Sequence, residues 1–165
     1  MKVDFFVEEC RTDNISSPRF GICDPGNHLP ACVSYDNEDT WVAVVDNQSG
    51  KALNFTAIDN CIEIRRENGE MDNRCDAMLT NSDTIIFIEL KVQDKDWIHH
   101  AVNVQLQSTI DHFKANHAIE KFRRRIAYAC NRRHPQFQYS RMELMNEFRR
   151  RNGVRLNIVN TIVVK

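Results

Sequence analysis

A chain of 165 residues, 42% apolar and 27% charged, has the size and composition of one ordinary soluble domain with a core of its own. No apolar run approaches the roughly 18 residues that a membrane helix needs, and the start Met1-Lys2-Val3-Asp4 lacks a signal peptide's pattern, so the expectation is a cytoplasmic protein without membrane contact. The net charge of −1 hides an asymmetry, because residues 1–120 carry 10 Lys+Arg against 21 Asp+Glu while residues 121–165 carry 12 against 2. That polarity suits an anionic polymer held by the basic part or pairing of the two parts within the fold; a solvated, self-neutralising surface is the plainer reading.

Cysteines at 10, 23, 32, 61, 75 and 130 form no C-x-x-C, which argues against a zinc knuckle or a redox dithiol and for free, reduced thiols. Residues 1–50 are the least legible part. Phe5-Phe6-Val7 suits a short strand or a helix start, and Ser16-Ser17-Pro18, Asp24-Pro25-Gly26-Asn27 and Leu29-Pro30 are breakers that argue for loops. Trp41-Val42-Ala43-Val44-Val45 reads as a strand or a buried helical turn.

Residues 58–91 read as a three-stranded meander, with Asn68-Gly69 as a turn and Asp59 and Glu63 on the first strand. Its last two runs are Arg74-Cys75-Asp76-Ala77-Met78-Leu79 and Thr84-Ile85-Ile86-Phe87-Ile88-Glu89-Leu90-Lys91, joined by four turn-forming residues. The second run is apolar on both parities, as in a central strand covered on both faces. Glu89 and Lys91 then project on one side, about 7 Å apart along the strand. A register that sets Asp76 beside Glu89 gathers two carboxylates and an ammonium at one end of the sheet. Two anions that close call for a cation between them, and a hard divalent ion such as Mg²⁺ or Mn²⁺ suits oxygen ligands. Asp59 or Glu63 could add a third carboxylate, although either also reads as a surface acid. Lys91 could hold a water or stabilise charge on a phosphate oxygen. Cys75, beside Asp76, reads as a small strand residue rather than a nucleophile.

With Asp76 as the acid and Glu89-Leu90-Lys91 as the E-x-K, this stretch resembles the PD-(D/E)xK nuclease superfamily over residues 58–113, without the Pro. The resemblance implies a single α/β domain over residues 1–165, a restriction-endonuclease-like sandwich with a mixed central β-sheet flanked by helices. It implies a Mg²⁺- or Mn²⁺-dependent nuclease acting on nucleic acid, DNA in preference to RNA. Asp76, Glu89 and the Leu90 carbonyl would bind metal, and Lys91 would orient the attacking water. Two alternatives stand beside it: a catalytically silent fold that binds nucleic acid or a partner, and a subunit active only beside a partner protein. A homodimer is also left open.

After Lys91, Asp94 or Asp96 can cap a helix over 97–116. At 100° per residue Ile98, Val102, Gln105, Thr109 and Phe113 form one stripe, with Gln105 in the middle of the buried face. In the resembled nucleases a Gln on this helix reaches the active site; otherwise Gln105 bonds backbone. His99, His100, His112 and His117 read as structural or solvent-facing.

Phe122-Arg123-Arg124-Arg125-Ile126-Ala127-Tyr128-Ala129-Cys130 reads as a strand with a basic edge, followed by a loop bearing Arg132 and Arg133; these five arginines are the candidate phosphate contacts in the basic part 121–165. Ser140-Arg141-Met142-Glu143 forms a capping box for a short helix with Met142, Met145 and Phe148 inward and Gly153 near its end. The helix dipole alone explains Arg149-Arg150-Arg151 in its last turn. A final strand runs over 154–164.

Overall fold

The computed structural model describes residues 2–133 and 141–165. Its larger sheet is mixed and has the order β1 (Arg11–Ile15), β5 (Leu53–Ala57), β6 (Ala77–Thr80), β7 (Thr84–Lys91), β8 (Arg124–Asn131) and β9 (Arg155–Asn157). The smaller, also mixed, has the order β10 (Thr161–Val163), β4 (Ala43–Asp46), β2 (Arg19–Cys23) and β3 (Cys32–Ser34). Helices α1 (Gln107–Asn116) and α2 (Met142–Asn152) complete the α/β fold.

β7 explains the layering. Ile85 and Phe87 pack into the core beneath the helices, with Leu106, Ile110, Phe113 and Phe148. Ile86, Ile88 and Leu90 point the other way and pack on Phe20, Ile22, Val45 and Ile162 of the small sheet. The large sheet is therefore the middle of three layers. Burying these five β7 side chains stabilises the fold by on the order of 10 kcal/mol, which makes the strand a stiff base for whatever its end carries.

The β6–β7 connection is the hairpin that the turn residues predict. Asn81 Oδ1 accepts the N–H groups of Asp83 (3.0 Å) and Thr84 (2.9 Å), and β6 pairs antiparallel with β7. β8 follows parallel to β7, and β9 parallel to β8. At the end of α2, Gly153 takes φ 67° and donates its N–H to the Arg149 carbonyl, a left-handed stop that favours glycine.

Several expectations change. The segment 1–50 holds β1 to β4, short strands whose apolar residues are too few to show a period. Phe5-Phe6-Val7 is neither strand nor helix; it docks on α1, with the Phe5 and Phe113 ring centroids 5.3 Å apart. Cys10 and Cys61 form a disulfide, with Cα atoms 6.0 Å apart, so the thiols are not all free. Cys23, Cys32, Cys75 and Cys130 are the free ones. A pair 51 residues apart leaves no spacing motif to read. Asp59 and Glu63 lie in the loop after β5 rather than on a strand.

His100–Leu106 is π-helical, not α-helical, so a 100° stripe drifts off register there; Gln105 and Ile98 are half-buried, whereas Val102, Thr109 and Phe113 are buried. Asp96 sits at φ 55° before this helix. Met142 is exposed at the start of α2, and Leu144 joins Met145 and Phe148 on the inner face instead. Ser140, His134 and Pro135 lie outside the described residues, so the capping box and part of the loop after β8 do too.

The final strand is two strands in two sheets. Buried Asn160 makes the crossing: Oδ1 accepts the Asn131 N–H at 2.7 Å and Nδ2 donates to the Val42 carbonyl at 2.6 Å. None of the helices is long and apolar enough to cross a membrane, among the described residues.

Candidate active site

The β6–β7 register pairs Ala77 with Ile88, so one step further Asp76 stands opposite Glu89. Both face the helical layer, since Met78 and Phe87, two residues along their strands, pack there. The Asp76 N–H donates to the Ile88 carbonyl at 3.1 Å, and its Oδ2 accepts the Leu90 N–H at 2.7 Å. Antiparallel partners exchange N–H and C=O bonds along one edge, so the Leu90 carbonyl is directed to the same edge as that amide.

Glu89 is 2% exposed. Its Oε2 lies 3.3 Å from Lys91 Nζ, while its Oε1 is buried with no hydrogen-bond partner among the described residues. Burial first, then repulsion from Asp76, pushes the Glu89 carboxyl well above its ordinary range, with Lys91 pulling the other way. Burial likewise pushes Asp76 up to about 6, against the Leu90 N–H that favours its ionised form. The carboxyl groups are within hydrogen-bonding reach of each other, so without a cation the pair favours holding a proton.

Lys91 is mostly buried, and its carbonyl accepts the Arg132 N–H at 2.9 Å. In the β7–β8 register Lys91 pairs with Asn131, whose Nδ2 donates to the Gln93 carbonyl at 2.7 Å and whose N–H is held by Asn160. In the π-helix and the first turn of α1, Gln105 Oε1 and Ser108 Oγ are two further buried oxygens with no hydrogen-bond partner among the described residues. Thr109 receives the Cys75 N–H on Oγ1 at 2.7 Å and donates to the Gln105 carbonyl at 2.9 Å, which fixes the backbone just before Asp76. Cys75 and Cys130 sense the charge of Glu89; burial raises both thiols, which suits packing and not nucleophilic chemistry.

Comparison of the chain with protein-family models, with curated proteins and with solved structures finds no match.

Asp76, Glu89 and Lys91 thus meet at one end of the sheet. Glu63 does not join them: its side chain is exposed and ion-paired with Arg65 at 3.2 Å. Asp59 is bound by Arg74, 2.7 Å away, although its charge reaches Asp76 and raises it, as does that of Asp24. Sequence reasoning places Thr109 on the same stripe as Gln105 but misses its role in holding the Cys75 N–H. His100 is exposed near Lys91, and partial burial and that charge lower its imidazole. The other predicted histidines are structural: His112 Nε2 lies 2.8 Å from Asp72 Oδ2, His117 Nε2 accepts the Phe5 N–H, and His99 meets Asn103.

The five candidate arginines do not share one surface. Arg132 and Arg133 follow the end of β8 beside Lys91, and Arg133 Nε donates to the Val92 carbonyl at 2.9 Å. Arg123, Arg124 and Arg125 lie at its start, where Arg124 pairs with Thr84. Seven residues of extended chain separate these ends, about 23 Å.

Among the described residues no group of three or more His, Cys, Asp or Glu side chains is placed to hold a metal. The donor set on offer is smaller: Asp76, Glu89 through its partnerless oxygen, and the Leu90 carbonyl. It fits an ion such as Mg²⁺ or Mn²⁺ that keeps several waters and takes one or two carboxylates. It lacks the His or Cys ligands that zinc sites combine with carboxylate oxygen.

Proposed function

We propose that the chain is a divalent-metal-dependent phosphodiesterase that cleaves nucleic acid, DNA in preference to RNA, with a restriction-endonuclease-like core of the PD-(D/E)xK kind. The observation that carries this reading is the buried Asp76–Glu89 pair with Lys91 beside it, two anions that burial and mutual repulsion disfavour and that a hard cation would stabilise. The order of elements supports it: an antiparallel meander β5–β6–β7, a helix, and β8 returning parallel to β7.

Asp76, Glu89 and the Leu90 carbonyl would hold the ion. When bound, it would supply Lewis-acid polarisation of the phosphate and a lowered pKa for a coordinated water. Lys91, 3.3 Å from Glu89 and mostly buried, would stabilise the negative charge that develops on a phosphate oxygen. The Leu90 N–H holds the Asp76 carboxylate in one orientation, and Thr109 holds the strand before it. Gln105 brings a buried carboxamide oxygen able to accept a hydrogen bond from a bound water. Arg132 and Arg133, which follow the end of β8 beside Lys91, would meet flanking phosphates.

Cleavage of a panel of single- and double-stranded DNA and RNA with Mg²⁺ or Mn²⁺, against a chelator control, tests the proposal. Glu89→Gln should abolish metal-dependent cleavage, and Lys91→Ala should lower the rate by on the order of 10²-fold while leaving affinity nearly intact. Parent protein without divalent-dependent cleavage, with both substitutions altering affinity alone, would make this a binding module.

A further inference from the structure

The end of the sheet away from Glu89 holds a separate cavity of about 880 Å³, between β8, β9 and β10, where the two sheets meet. Arg123, Arg124, Arg125, Arg149, Arg155 and Lys165 line it. Asp83 lies beside this cluster, exposed and 3.7 Å from Arg123, and it also senses Lys51 and Arg124. Six cations around one cavity repel each other, and a multiply charged anion would relieve that repulsion.

The cavity is partly preorganised. Arg125 Nε donates to the Phe122 carbonyl at 2.8 Å, which fixes that guanidinium and leaves its terminal nitrogens for a ligand. The Tyr128 hydroxyl accepts the Val163 N–H at 3.3 Å, tying β8 to β10 across the two sheets. Ile126, Tyr128, Val159 and Val163 form an apolar wall beside the cations. A phosphate chain alone would leave that wall unused, whereas a ring joined to phosphates would engage both. The volume lies within the usual range for small-molecule sites, roughly 300 to 1,000 Å³.

We propose that this cavity binds a nucleoside polyphosphate, at a site separate from the Asp76–Glu89 pair and independent of the nuclease reading. Thr84 lines it while Glu89 sits five residues along the same strand, about 17 Å away. A ligand here contacts β7 and β8, the two strands whose other ends carry Glu89, Lys91 and Asn131.

Calorimetric titration of the whole chain with ATP, GTP and inorganic tripolyphosphate, in chelator so that no metal engages Asp76 and Glu89, tests it. Expected is one saturable site for at least one nucleotide, with tripolyphosphate about tenfold weaker or more. Arg124→Glu and Arg155→Glu should each weaken binding by at least about tenfold, the scale of one charge-assisted contact. Arg155→Lys should stay within a few-fold of the parent, which guards against a folding defect, and Lys91→Ala should leave binding unchanged. No saturable binding, or equal binding by parent and both charge reversals, overturns the proposal. Tripolyphosphate binding as tightly as either nucleotide overturns the nucleoside part. A 5′-phosphorylated oligonucleotide that binds when mononucleotides do not would assign the arginines to nucleic acid instead.

Discussion

Replacing Asp76 by Asn probes the buried carboxyl pair without any assumption about substrate. An ordinary Asp titrates near about 3.9, and burial pushes Asp76 up to about 6. A folded-state pKa raised above the unfolded one means that the folded chain holds the proton more tightly. The associated stability is fully present below about pH 4 and is lost as pH rises through about 6. A shift of about two units corresponds to about 3 kcal/mol, or about 6 to 12 °C in Tm for a domain of this size. The substituted carboxamide keeps an oxygen for the Leu90 N–H and carries no charge. In chelator at pH 8 Asp76→Asn should therefore melt higher than the parent by up to that amount, and at pH 4.5 the two should nearly coincide. Saturating Mn²⁺ at pH 8 should raise the parent's Tm and leave the variant's unchanged. A variant destabilised equally at both pH values would show that Asp76 is held by ordinary favourable contacts, and the reasoning would fail.

Thr109→Val removes the acceptor for the buried Cys75 N–H, so chemical denaturation should show a loss of about 1 to 3 kcal/mol, and any metal-dependent cleavage should fall with it. Reducing Cys10–Cys61, which closes a 51-residue separation, should lower stability by about 4 kcal/mol on the chain-entropy view; equal urea midpoints for oxidised and reduced protein would contradict it. Arg132→Glu with Arg133→Glu should weaken binding to all nucleic-acid sequences alike and reduce the salt slope by about 2, read from affinity against salt concentration; an unchanged slope would remove these residues from the interface.

The motif end of the site is legible in the sequence because β7 is unambiguous. Apolar residues on both parities define a two-sided strand, and strand alternation then places Glu89 and Lys91 together. The turn residues before Thr84 set the hairpin, whose register delivers Asp76. The π-helical turn hides Gln105's true position, because seven residues at a wider winding shift every later side chain relative to a 100° wheel. Asn160 is invisible for a different reason. Nothing in the sequence marks where a chain leaves one sheet for another, and a buried Asn serving both Asn131 and Val42 is defined only by tertiary structure. The basic third is legible as charge and not as place: residues 123–125 and 132–133 are neighbours in sequence and lie at opposite ends of β8.

The claim that Asp76 and Glu89 form a divalent-cation site is tested most directly by calorimetric Mn²⁺ titration in two buffers of different ionisation enthalpy. At pH 7.5 the parent should bind Mn²⁺ saturably, because the ion competes with protons for two carboxyls that burial and mutual repulsion both hold above their ordinary range. Affinity should drop at pH 5.5, and Glu89→Gln should abolish binding while circular dichroism remains that of the parent. Mn²⁺ bound equally well by Glu89→Gln, or no saturable binding by the parent at pH 7.5, would contradict the assignment.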